Sequence, residues 1–279
     1  MKKLIALFLC LLLIGSMLVL SACDDTTIPT DDQQTTDNST QTPDNKDTAP
    51  KGIATLNGKT PEELYDAAVA KLATLTNYEM TSTQLITMSY GGQQMPINQV
   101  VVAKVNGLEQ YIKSTNDMEE SGNMEMWYIN EWMYVIANNV HNKANITHDI
   151  MAEYYLPEGS TGDSALMSFP KEWFKDIQFF QDGEAYYIEF VVSGEEYCQY
   201  MKSTSLGDLV QGVTDISYKV YFDKDGNLGD IVTEFDYVVQ NINCHLKATS
   251  SISNIGNVVI EAPANPDSFV DVTASMPHN

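Results

Sequence analysis

The sequence predicts an α+β fold: one amphipathic helix followed by a large, strongly curved antiparallel sheet. Three observations carry this expectation. Residues 60–75 place apolar side chains at helical spacing behind a capping signal. Most of the chain beyond residue 76 alternates, or is rich in Val, Ile, Tyr and Thr. Turn signals such as Asp182-Gly183 and "DKDGN" mark hairpins, and no βαβ alternation is present. A sheet of this many strands curls around its own core or around the helix.

In chain order, Met1, Lys2 and Lys3 form a short positive region, and residues 4–20 are almost entirely apolar. That is the layout of a secretory signal. An apolar run of about 20 residues can also span a bilayer, but no Lys occurs after it until Lys46, so a basic stop-transfer flank is missing. The run ends "LVLSACDD" over residues 18–25. Within it, Leu20-Ser21-Ala22-Cys23 resembles the lipobox of bacterial lipoproteins. The resemblance implies a signal peptide over 1–22, cleaved before Cys23, whose thiol receives a diacylglyceryl group. Two acyl chains are what stable rather than fleeting anchoring needs. Cys10 leaves with the signal. The expected location is the cell membrane, lipid-anchored, with the head on the extracytoplasmic side.

Residues 23–52 then form a lipidated cysteine and an acidic stalk. They are almost all Asp, Thr, Gln, Asn, Ser and Pro, with Ile28 the only large apolar residue before the head. Such a composition cannot offset the entropy of ordering. Its reach is roughly 30 Å relaxed and about 95 Å when pulled straight. Residues 53–279 suffice for a single well-cored head domain.

The formal charge of −23 becomes about −25 without Lys2 and Lys3, and the chain has no arginine. Nucleic-acid binding needs a basic surface, so no nucleic-acid partner is expected. Bidentate capture of phosphate by arginine is excluded by the same absence. An acidic head also repels anionic headgroups, which leaves membrane attachment to the lipid on Cys23.

In the head, Thr60 can cap the helix, Pro61 suits its first position and Glu63 completes a capping box. Leu64, Ala67, Ala68, Leu72 and Leu75 share one helical face. Strands are expected near 77–88, 97–106, 108–118, 123–130, 132–138, 177–181, 185–193, 214–223, 228–240 and 244–253. A helical or irregular insertion occupies roughly 147–176, and 194–205 reads as another helix.

The most informative inner stretch is "GNMEMWYINEWMYVIAN". With Asn130-Glu131 as a two-residue turn, Ile129 pairs with Trp132, Tyr128 with Met133, Trp127 with Tyr134 and Met126 with Val135. One face then carries Trp127, Ile129, Trp132, Tyr134 and Ile136, with Glu125 at its end. The other carries Met124, Met126, Tyr128, Met133, Val135 and Ala137, without charge. An ordinary antiparallel hairpin wets one face. Here both need cover, either from the helix on one side and the insertion on the other, or from an apolar ligand on one of them. Methionine suits the second reading, because its unbranched thioether adapts to variable guests. Met80, Met88, Met95 and Met118 precede this stretch.

The lipobox, the polar stalk, the opening "TPEELYDAAVAKLATLTNYEMTSTQLITM" and the hairpins "MWYINEWMYVI" and "VYFDKDGNLGDIVTEF" together resemble the LolA/LppX-like lipoprotein superfamily, over about residues 60–262. The resemblance implies an unclosed half-barrel, a strongly curved antiparallel sheet packed on an N-terminal helix and an inserted helical segment. It also implies a gap in which several members carry lipids or lipoproteins.

Catalytic chemistry finds no foothold. Cys198 and Cys244, the only head thiols, allow one disulfide outside the cytoplasm or remain two buried small hydrophobes. Asp223, Asp225, Asn227 and Glu234 match part of a calcium loop, but Leu228 stands where the loop needs glycine and the flanks read as strands. A hairpin turn is the better reading. His141, His148 and His245 lack zinc spacing. With no nucleophile elbow or phosphate loop, neither an enzyme nor a cofactor or metal site is expected. The expectation is a membrane-anchored surface lipoprotein whose head binds an apolar ligand, a lipid, through Met124, Met126, Tyr128, Met133 and Val135. The alternative is a packed module that binds an envelope protein partner or senses the envelope, with no ligand and an exposed patch at the Trp127–Trp132 face.

Overall fold

The structure is a computed structural model that describes residues 51–118, 123–150, 169, 171–202, 210–239 and 242–275. The expected signal and lipidation site and almost all of the expected stalk lie outside these residues, as does most of the expected insertion. No helix among the described residues is long and apolar enough to cross a membrane.

Helix α1 (Pro61–Ala73) begins as expected. The Thr60 hydroxyl accepts from the Glu63 N–H at 3.3 Å, and the Glu63 carboxylate accepts from the Thr60 N–H at 2.9 Å. Leu64, Ala68 and Leu72 are buried, but Ala67 is exposed and Tyr65 takes its place inward. The Tyr65 ring meets Phe174 at 4.9 Å and Phe190 at 5.5 Å, both edge-on. A large aromatic side chain recovers far more apolar area than a methyl group.

The strands are β1 (Lys51–Gly52), β2 (Asn77–Tyr90), β3 (Gln93–Asn106), β4 (Glu109–Asn116), β5 (Met124–Ile129), β6 (Trp132–Ala137) and β7 (Val140–Asn145). They continue with β8 (Phe174–Asp182), β9 (Ala185–Val192), β10 (Val210–Gln211), β11 (Ile216–Phe222), β12 (Leu228–Val239), β13 (Ile242–Ser253) and β14 (Val270–Asp271). A second helix, α2 (Gly194–Lys202), lies between β9 and β10 in the chain. All strands form one sheet in the order β1-β8-β9-β11-β12-β13-β2-β3-β4-β5-β6-β7-β14, with β10 paired to β12. The pairing is antiparallel apart from β14 on β7, and the two ends of the sheet do not meet. This is the unclosed, curved half-barrel of an α+β fold. It consists of two meanders, β2–β7 and β8–β13, joined along β13 and β2.

Strand β7 was not expected. Its sequence, "VHNKAN", has little β character, yet Asn138 and Asn139 both take positive φ and turn the chain back onto β6. Asparagine tolerates that conformation better than most side chains.

The face of the sheet under α1 is the inner one. Its main core gathers Leu64, Tyr65, Ala68 and Leu72 with Ile188, Phe190, Ile216, Tyr218, Val220, Phe235 and Leu246, mostly from the second meander. The outer face carries cross-strand ion pairs: Lys113–Glu125 at 2.9 Å, Lys247–Glu234 at 3.2 Å, Lys219–Glu189 at 3.4 Å and Lys104–Glu79 at 3.9 Å. Exposed pairs of this kind stabilise little, but they keep this face wet.

Candidate ligand-binding face

The β5–β6 hairpin forms in the expected register, with Ile129 opposite Trp132, Tyr128 opposite Met133, Trp127 opposite Tyr134 and Met126 opposite Val135. Asn130 and Glu131 both have positive φ, at 50° and 63°. That is the twist a two-residue turn needs to match the flanking strands.

On the inner face, Met124 and Met126 are buried with Met80, Val101, Ala103 and Ile112, and Met133, Val135 and Ala137 pack against them. Every described member of this cluster belongs to the sheet itself. Tyr128 stands apart from it. Its hydroxyl donates to the Ile146 carbonyl at 3.0 Å and lies 3.1 Å from His148 Nδ1, and its ring packs with Ala144 and Ile146. Burial, reinforced by the nearby Glu131 carboxylate, pushes its pKa up to about 12. Four of the five expected ligand residues therefore come together, while Tyr128 fastens β5 to the end of β7. Met133 touches both groups.

The outer face of the hairpin is covered, among the described residues, by the C-terminal segment rather than by helix α1, while most of the expected insertion lies outside the described residues. The C-terminal segment, residues 256–272, crosses it as a belt. The side chain of Asn77 holds the belt like a strand neighbour: its Nδ2 donates to the Val258 carbonyl at 2.9 Å and its Oδ1 accepts from the Val258 N–H at 2.8 Å. Val258 and Ile260 then pack on Trp127, and Phe269 meets Tyr134 edge-on at 5.3 Å. Strand β14 pairs with β7 beyond them. Trp127 is only 8% exposed, so the apolar patch expected of a packed interaction module is not open there. Between belt and sheet lies a groove of about 420 Å³ lined by Lys104, Tyr111, Trp127 and residues 259–264.

Sequence reading also missed a polar row across the inner face. Ser82, Gln84 and Gln99 are each 1% exposed, Ser114 is 0% and Ser250 is 5%. Gln84 sits opposite Gln99, Ser82 opposite Ser250, and Val101 opposite Ser114, so the row runs from β13 to β4. The signal was available. Along β2 the inward positions read Met80, Ser82, Gln84, Ile86, Met88, a polar break inside an apolar alternation.

Cys198 and Cys244 are free thiols in this structure, not the disulfide their count allowed. Cys244 is buried on β13 with its Sγ 3.7 Å from the Ile242 carbonyl, and Cys198 packs from α2 as a half-buried hydrophobe. The "DKDGN" run is a hairpin turn. The Asp223 carboxylate accepts from Asn227 Nδ2 at 2.9 Å and from the backbone N–H groups of Asn227 at 2.8 Å and Asp225 at 2.9 Å. These bonds hold its pKa below the usual carboxylate range. Among the described residues, no group of His, Cys, Asp and Glu is placed to hold a metal.

No family model matches the chain, and no curated protein matches it in sequence. Among solved structures the chain is similar to LprF from Mycobacterium bovis, at 11% identity over 74% of this chain and 96% of that one, with a TM-score of 0.37. It is similar to a LolA superfamily protein from Nitrosomonas europaea, at 7% identity over 73% and 96%, with a TM-score of 0.28. It is also similar to a DUF1329 family protein from Desulfovibrio piger, at 11% identity over 69% and 91%, with a TM-score of 0.25.

Proposed function

We propose that this chain is a membrane-anchored surface lipoprotein whose head binds an apolar ligand, a lipid, without covalent chemistry. Residues 1–22 serve as the signal, Cys23 carries the anchor, residues 23–52 form the stalk and residues 53–279 form the head. The ligand lies against Met124, Met126, Met133 and Val135, with Tyr128 at the border of that surface. Each buried methylene contributes about 0.8 kcal/mol.

The observation that supports this reading most is the methionine-rich inner face of β2–β6. Its cluster around Met80, Met124 and Met126 is apolar and charge-free, and the packing partners of that cluster among the described residues all come from the sheet. The test uses residues 23–279 with Cys23→Ser, purified without detergent and analysed by native mass spectrometry and solvent extraction. A stoichiometric lipid-sized adduct that disappears on denaturation is expected, and Met126→Asp should abolish it. A clean apo mass after incubation with mixed lipids would transfer the case to the packed interaction module. Unchanged uptake by a folded Met126→Asp variant would discard this face. For the anchor, Cys23→Ser in cells should move the protein from the membrane to the soluble fraction.

A further inference from the structure

The polar row divides the inner face into two apolar regions. Met80, Val101, Ala103, Ile112, Met124 and Met126 lie on one side of it. On the other side Ile86, Met88, Ile97, Cys244 and Leu246 belong to the main core. Within the row, the Ser250 hydroxyl donates to Ser82 Oγ at 3.0 Å, Gln84 Nε2 donates to Ser82 Oγ at 3.3 Å, and Gln99 Nε2 donates to Ser114 Oγ at 2.6 Å. Gln84 Oε1 is buried and has no hydrogen-bond partner among the described residues. At the β4 end of the row, Asn116 Nδ2 is in the same position.

A buried amide oxygen left unpaired is costly, and native proteins rarely keep one without a use. Turning the Gln84 amide over would only exchange which of its two ends lacks a partner. A hydroxyl can answer either end, because it both donates and accepts. The inner-face positions of β2–β6 and β13 carry no charged side chain, so an anionic headgroup would shed its hydration there with no cation to meet it.

We propose that this row seats the polar end of the ligand, and that the ligand is a neutral acyl lipid with a free hydroxyl. The simplest probe is 1,2-dioleoylglycerol. The hydroxyl meets Gln84, an ester carbonyl is the kind of acceptor Asn116 Nδ2 requires, and the acyl chains lie on the methionine side of the row, against Met80, Met124 and Met126. This rests on the lipid-binding reading and adds the class of lipid.

The experiment offers three lipids from cyclodextrin complexes to residues 23–279 carrying Cys23→Ser, with binding read by native mass spectrometry. They are 1,2-dioleoylglycerol, triolein and dioleoylphosphatidic acid. The diacylglycerol with its free hydroxyl should bind about tenfold more tightly than triolein, which cannot donate to Gln84, and phosphatidic acid should bind most weakly. Gln84→Met should erase the preference for the hydroxyl while leaving triolein binding in place. Equal binding of dioleoylglycerol and triolein by the parent protein, or a preference for phosphatidic acid, would overturn the inference and leave the lipid-binding reading standing. Binding of none of the three by the folded protein would remove both. The order among the three lipids is measured on the parent alone, so the test survives a Gln84→Met chain that fails to fold.

Discussion

Thr60 and Glu63 each satisfy the other's backbone N–H at the start of α1, and the whole arrangement was legible in four consecutive letters. Thr60→Ala should cost about 1 kcal/mol of stability, read as a lower urea midpoint at unchanged slope. Gly194 is a harsher case that no local pattern announced. A Cβ there would run into the backbone carbonyl of Thr214, and the Gly194 N–H already donates to Asp215 at 3.1 Å. Gly194→Ala should therefore cost more than the loss of the helix cap, about 2 kcal/mol or more, in the same titration. The turn residues Asn130 and Glu131 could be read because a hairpin is a local object. Tyr128 could not. Its parity put it with the methionines, while its hydroxyl found a carbonyl eighteen positions away.

Helix α1, α2 and most strands were legible because each is written in a period, 3.6 or 2, that needs no knowledge of neighbours. The elements that escaped are those that depend on them. Strand β7 is polar and survives because β6 and β14 pair with it on either side. The belt has almost no periodicity of its own, and its job is to cover Trp127 and Tyr134, which are distant in sequence. A chain ending at Asn254 should show red-shifted tryptophan emission and concentration-dependent association, because it uncovers both the aromatic face and the β7 edge. Asn77→Ala should loosen the belt more mildly, giving earlier proteolysis within residues 256–272 and leaving the emission nearer that of the parent.

For the whole molecule, titration brackets a broad plateau of stability. Asp223 and Asp117 are held below the ordinary carboxylate pKa by hydrogen bonds, chiefly from the Asn227 and Asn98 side chains, and Asp215 chiefly by the Gly194 N–H. A lowered folded pKa gives stability that is present above the unfolded value of about 4 and lost as pH falls through the folded one. Tyr111 and Tyr128 are pushed up to about 12, first by burial and then by Glu125 and Glu131 respectively, and burial also raises Tyr65 and Tyr218. A raised folded pKa gives stability that is full below the unfolded value of about 10 and lost as pH climbs through the folded one. Urea midpoints should accordingly stay flat at intermediate pH, fall below about pH 4 and fall again above about pH 10. Absorbance at 295 nm should show a block of tyrosines ionising only as the fold opens; a smooth titration near pH 10 in the folded protein would contradict this burial. The seam between the meanders has a further, kinetic consequence. Each meander closes through neighbours in sequence, but the seam joins residues such as Ser82 and Ser250, which lie 168 positions apart. Contacts over that span form late, since the chain must lose its freedom before they repay it. A folding intermediate holding the first meander alone thus has Ser82, Gln84, Gln99 and Ser114 in place but lacks Ser250, and the row becomes whole only in the final step of assembly.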